Sequence, residues 1–137
     1  MVGIHVRRGD VSVESSLKFG HTVPTKEYFS HAMDYLKDKD VTDPIYIVCT
    51  NDIEWSRQNV VGFNLHFVEE EGPYVDIAIL TKMDHLILST GTYSFFSAYL
   101  SSAKNIVYYK RWPEPGSDFA RMTDLKSFWL PEWIAME

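Results

Sequence analysis

Five short apolar runs are spaced along the chain, and the stretches between them carry apolar residues at helical spacing. Residues 2–6 (VGIHV) are β-branched and predict a strand. Residues 44–49 (PIYIVC) and 85–89 (HLILS) are apolar almost throughout, as in strands covered on both faces. Residues 64–68 and 105–110 complete the set. Between them, residues 25–39 place Tyr28, Phe29, Ala32, Met33 and Leu36 on one helical face, with Thr25 as cap and Lys37 and Lys39 near the end. Residues 51–59 read as a turn and short helix capped by Asn51 or Asp52. Residues 75–84 predict a helix with Ile77, Leu80 and Met83 inward, and 93–102 another after a tight turn at 90–92. Residues 7–24 and 69–74 read as loops, and the apolar tail SFWLPEWIAM (127–136) closes the chain.

Strand and helix alternate with short connections. This predicts right-handed crossovers and an α/β fold: a three-layer, Rossmann-like parallel sheet with helices on both faces, in one domain over 1–137. Ligands of such sheets sit beyond the carboxyl ends of the strands. Those ends hold Arg7-Arg8-Gly9-Asp10, Asn51-Asp52, the acidic stretch Glu69 to Gly72, and Thr90-Gly91-Thr92.

Composition narrows the partners. The 137 residues are 45% hydrophobic and carry a formal charge of −6, against the basic balance usual in nucleic-acid binders. An anion would have to be held locally. Cys49 is the only cysteine, so no internal disulfide forms. His21, His31, His66 and His85 show no metal-ligand spacing, and no run reaches the ~20 apolar residues of a membrane span. Met1 leads straight into a strand with no signal peptide, as in a domain of a longer chain.

The one arginine pair, Arg7-Arg8, ends the first strand. Such pairs are often surface cations in weak ion pairs. At a sheet's carboxyl edge, guanidiniums also bind phosphate oxygens bidentately. His5 alternates with Ile4 and Val6, so it sits on the opposite face from them and can brace the arginine loop. Asp10 is either a loop or cap residue, or a functional carboxylate near the reacting centre or bracing an arginine. Residues 8–10 spell Arg-Gly-Asp, an adhesion tripeptide where it protrudes. STGTYS (89–94) opens a helix with small residues, a setting that suits anions. It lacks a Walker A lysine, and no GxGxxG is present. Asp76 starts its helix and reads most simply as a cap residue.

Four segments in order, VGIHVRRGD, VCTNDIEWSRQN, DIAILTKMDHLILSTGTYSFFSAYL and FWLPEW, resemble the galactoside α-1,2-fucosyltransferases of glycosyltransferase family 11. The resemblance implies a two-domain GT-B enzyme of which this chain is the C-terminal donor-binding half, the N-terminal acceptor domain and membrane anchor being absent. It implies GDP-fucose as donor substrate, no metal and no other cofactor. A terminal galactose of a glycan would be the acceptor, and transfer to its 2-hydroxyl would invert the anomeric centre. Carried over by motif, Arg7 and Arg8 would hold the diphosphate beside His5. Asn51 and Asp52 would fall in a donor loop, and Asp76 would face the nucleoside. Thr92, Tyr93 and Ser94 would contact the phosphates, and Asp10 is a candidate general base. The family also implies a Golgi membrane setting on the lumenal face, no nucleic-acid partner, and membrane contact only through the missing anchor. The other readings are a truncated or inactive nucleotide-sugar-binding module of the same family, and an adhesion protein using the tripeptide.

Overall fold

The computed structural model describes residues 1–39, 41–69 and 72–137. Glu70 and Glu71, in the acidic strand-end stretch, lie outside the described residues. The elements run β1 Val2–Val6, a 3-10 turn at Gly9–Val11, α1 Glu14–Phe19, α2 Lys26–Lys37, β2 Tyr46–Thr50, α3 Ile53–Asn59 and β3 Leu65–Phe67. They continue with α4 Pro73–Leu80, β4 His85–Leu88, α5 Gly91–Tyr99, β5 Asn105–Tyr109, α6 Asp118–Met122, α7 Leu125–Phe128 and β6 Ile134–Met136.

Six strands form one sheet in the order β3-β2-β1-β4-β5-β6. Every pairing is parallel. This is the Rossmann order, with its reversal between β1 and β4, so the expected fold class holds. All five residues of β1 are buried, because helices cover both of its faces. Its odd-numbered residues face α4 and α5: a Cβ on Gly3 would fall 2.7 Å from Met83 Cγ and 2.8 Å from Leu86 Cδ2. Val2, Ile4 and Val6 take the other face. There α2 packs Tyr28, Phe29, Ala32, Met33 and Leu36, the face its periodicity predicted. Thr25 caps α2, accepting from the Tyr28 N–H at 3.4 Å. The buried Tyr28 hydroxyl donates to the Leu88 carbonyl at 2.6 Å, pinning α2 to the end of β4.

Several predicted boundaries move. The 7–24 loop holds the 3-10 turn and α1, which buries no residue and so leaves no apolar period to read. Gly20 closes α1 in a left-handed conformation at φ 119°. The apolar tail belongs to a longer structured segment, with α6, α7 and the sixth strand. β6 is three residues long, too short to show alternation. α4 starts at Pro73, a proline at N1, and ends at Leu80, so Met83 is buried beyond its end rather than on it. α5 begins at Gly91, so the predicted 90–92 turn is already its first turn. Trp112, Trp129 and Trp133 are core residues, while Trp55 is half-buried.

Gly3 lets α4 and the Met83 segment lie close on the sheet. Gly3→Ala is expected to lower unfolding free energy by about 1–3 kcal/mol, the usual cost of overpacking. Urea denaturation measures it, and an unchanged midpoint would contradict the close approach.

Candidate functional site

A cleft of about 660 Å³ opens at the carboxyl ends of β1 and β2, beside the switch point. His5, Arg7, Asp10, Thr50, Asn51, Val68, Gly72, Pro73, Asp76 and Tyr93 line it. Six of these, His5, Arg7, Asp10, Asn51, Asp76 and Tyr93, were candidates from the sequence alone.

The end of β1 is tied down on both sides. The Arg7 amide donates to Ser89 Oγ at 3.0 Å, fastening it to β4. The Arg8 amide donates to Asn51 Oδ1 at 2.9 Å, fastening it to the turn after β2. The two guanidiniums then separate. Arg7 enters the cleft, where its Nη2 and Nε donate to the Asp10 carboxylate at 2.6 and 3.3 Å. Its Nη1 lies 3.0 Å from where a Cβ on Gly91 would be. Gly91 has φ 85°, so two constraints favour glycine there: the backbone conformation and the space the guanidinium takes. Arg8 turns the other way. Its guanidinium stacks over Trp55, 4.0 Å from the ring centroid. Its Nη1 donates to the Pro24 carbonyl at 3.4 Å, and its Nε lies 3.9 Å from Asp52 Oδ2. Arg8 does not line the cleft. The tripeptide at residues 8–10 is consequently bound into a turn, not displayed as adhesion requires.

Asp10 is a brace for Arg7. It also accepts from Asn51 Nδ2 at 3.2 Å. The hydrogen bonds from Arg7 hold its carboxyl below the ordinary carboxylate value, which makes it a weak base. Gly9 packs against that same amide: a Cβ there would lie 3.0 Å from Asn51 Nδ2. Asp52 caps α3, accepting from the Trp55 N–H at 3.2 Å, and stays outside the cleft.

His5 is buried behind Arg7. Its Nδ1 shares a 2.6 Å hydrogen bond with the Ser94 hydroxyl, and its ring packs on Tyr93 at 4.9 Å between centroids. Burial, with help from the Arg7 charge, pushes its pKa down to about 3, so the imidazole is neutral. Ser94 therefore serves the site from behind His5. Tyr93 does line the cleft, and its hydroxyl donates to the Pro73 carbonyl, tying α5 to the start of α4. Burial pushes the Tyr93 phenol up to about 12, so it too stays neutral. Thr92 is exposed on α5 and does not line the cleft. Asp76, in the first turn of α4, does line it.

Gly72, in the stretch the sequence placed at the ligand edge, lines the cleft. The sequence reading missed Ser89 as the tie to β4, Pro73 as cleft wall, and Trp55 as the seat of Arg8. Glycine followed by proline at a helix start was a readable signal for the wall. Nothing local marked Trp55, because its contact with Arg8 crosses between elements. At α5, Thr90 stands at the cap position but makes no side-chain capping bond. The first N–H groups of that helix are thus left without a side-chain cap beside Arg7. Among the described residues, no group of three His, Cys, Asp or Glu side chains is placed to hold a metal ion.

Fold and cleft together define a doubly wound α/β domain with one arginine facing a ligand cleft at the switch point. The chain belongs to glycosyl transferase family 11, whose family model matches residues 1–137. It is 31% identical over 140 residues to the galactoside alpha-(1,2)-fucosyltransferases 1 of Ateles belzebuth and Saimiri boliviensis boliviensis. The match covers 98% of this chain and 38% of those relatives' length. No solved structure matches the chain significantly.

His5 gives the site a pH signature. Its folded pKa is depressed, so between pH 6.5 and about 3 the unfolded chain takes a proton that the folded chain refuses. Stability rises with pH across that window, and His5 adds up to ~1.4 kcal/mol per pH unit to the slope. Denaturation at stepped pH, with an NMR titration of the His5 ring, checks this. A ring midpoint near 6.5 would contradict it.

Proposed function

We propose that this chain is the donor-binding part of a galactoside 2-α-L-fucosyltransferase, transferring fucose from GDP-fucose to the 2-hydroxyl of a terminal galactose. One observation carries the reading: Arg7 is held over the uncapped N-terminus of α5, at the switch point of a doubly wound sheet. Guanidinium, helix dipole and free N–H groups all favour a doubly charged diphosphate there. Family membership and the names of the relatives support the choice of donor and acceptor.

Chemistry follows from the leaving group. When the bond between fucose and the diphosphate breaks, GDP gains negative charge. A positioned cation that strengthens its interaction with that charge lowers the barrier. Arg7 takes this role, with Asp10 and Asn51 setting its angle. Its Nε and Nη2 are partly engaged by Asp10, which leaves Nη1 for a phosphate oxygen. Arg8 contributes indirectly, by anchoring the loop to Trp55 and Pro24. His5, neutral and committed through Nδ1 to Ser94, offers only Nε2 to the donor. Asp76 and Asn51 face the same cleft and suit the ribose or base. Inversion requires attack on the fucose carbon from the side opposite GDP. Since Asp10 is a weak base, we assign the acceptor hydroxyl's proton to an oxocarbenium-like path or to a group outside this cleft. The chain spans 38% of the curated relatives' length. We place acceptor binding in the remaining part of such a protein, and the whole enzyme at the lumenal face of the Golgi membrane. In this structure no helix is long and apolar enough to cross a membrane among the described residues.

Calorimetry with GDP tests the site. Arg7→Ala is expected to weaken GDP binding by about 10- to 100-fold, the range for a lost charged hydrogen bond. Arg8→Ala is expected to lower thermal stability more than it lowers affinity for GDP. No measurable GDP binding by the wild-type chain would remove the proposal. Release of GDP from GDP-fucose on adding a galactoside acceptor to the full-length protein separates a transferase from a module that only binds.

A second prediction concerns Asp10. Asp10→Asn keeps the shape but removes the charge that orients Arg7. It is expected to leave the fold intact and weaken GDP binding by about threefold to tenfold. An acid–base role would instead leave GDP affinity unchanged and abolish turnover.

A further inference from the structure

A second cavity, of about 620 Å³, lies at the opposite end of the sheet from the donor cleft. It is bounded by α2, by the chain entering β2 and by the 61–64 loop entering β3. Tyr46, the first residue of β2, reaches into its wall and is only 2% exposed. The Tyr46 hydroxyl is buried and has no hydrogen-bond partner among the described residues. Leaving such a hydroxyl without a partner is costly, so an occupant that shifts the cavity wall enough to reach it is stabilised by supplying one. Thr50, at the far end of the same strand, is roughly 13 Å away by strand rise, so the two sites are separate.

The lining specifies the chemistry of an occupant. Asp34 and Lys37, paired at 3.0 Å, supply a carboxylate acceptor and an ammonium donor. Asn64, in a left-handed conformation at φ 55°, adds an amide. Met33 adds an apolar contact to the lining. Phe63 stands at the rim with 92% of its surface exposed, the most exposed large hydrophobic side chain described. An exposed aromatic side chain lining the same cavity as donors and acceptors suits a pyranose ring, whose C–H face stacks on an aromatic while its hydroxyls bond to mixed polar groups. Asp34 and Asp43 outweigh Lys37 in the lining, which disfavours an anionic ligand. We propose that this cavity is a saccharide-binding site for a neutral hexose unit, distinct from the donor cleft. It would hold a glycan on the domain without taking part in transfer.

NMR titration of the labelled chain with lactose tests the proposal, with and without saturating GDP. Saturable shifts centred on Tyr46, Asn64 and Phe63, unchanged by GDP, are expected. Phe63→Ala, an exposed substitution that leaves the fold intact, should weaken lactose binding by about fivefold, and Tyr46→Phe by a similar factor. Neither variant should change GDP affinity. Absence of saturable shifts at millimolar lactose would overturn the site. So would competition by GDP, which would put the sugar in the donor cleft. Shifts at Phe63 with an apolar dye but not with lactose would make the cavity an apolar groove and also overturn it. Failure of GDP binding alone would sink the proposed transferase role while leaving this site standing.

Discussion

The alternation of side chains along β1 is the constraint on which the site depends. A strand sends successive side chains to opposite faces, and β1 is buried on both. His5 and Arg7 emerge on the side of α4 and α5, where the cleft opens. Ile4, Val6 and Arg8 emerge on the side of α2 and α3. Two adjacent arginines therefore do different work. One guanidinium faces the cleft beside α5; the other stacks on Trp55 and holds the loop. A pair that looks like a clamp in one dimension is split where the chain leaves β1 after Val6 and turns at Arg8.

Around that split, neutral groups do as much as charged ones. His5 and Tyr93 are both kept uncharged by burial, and they pack on each other behind Arg7. A protonated His5 would put a second positive charge beside Arg7 in a buried setting and would be expelled or titrated away. Their neutrality leaves Arg7 as the cation of the cleft lining among the described residues, in a lining that also holds the carboxylates Asp10 and Asp76. In a chain with net charge −6, a single guanidinium can bind an anion only if its partners do not neutralise it fully. The exposed Asp10 is a partner of this kind: it fixes the direction of Arg7, while water screens much of its charge.

The fold also explains why polar residues gather as they do. All strands run one way, so every loop after a strand lands on one edge of the sheet. The ties from Arg7 to Ser89 and from Arg8 to Asn51 join three of those loops into one rim. The uncapped start of α5 completes it. The opposite edge carries the loops that enter the strands, and there the chain builds the cavity around Tyr46.

Much of this was legible in the order of residues. Near-continuous apolar strands alternating with amphipathic segments determined the parallel sheet, because only a doubly covered sheet buries such strands. His-x-Arg-Arg-Gly-Asp and the segments after it marked the family and the carboxyl-edge site. Sequence could not reveal α1 or β6, since a helix that buries nothing and a three-residue strand leave no periodic signal. It also could not assign separate roles to Arg7 and Arg8, or see that Ser94 works through His5 while Thr92 stays outside. Those depend on which elements meet across the sheet: Trp55 from α3 beneath Arg8, and Gly91 from α5 beneath Arg7. A side chain's type is local, but its partner and its protonation are set by contacts between residues 40 to 90 positions apart. Only the folded chain brings these together.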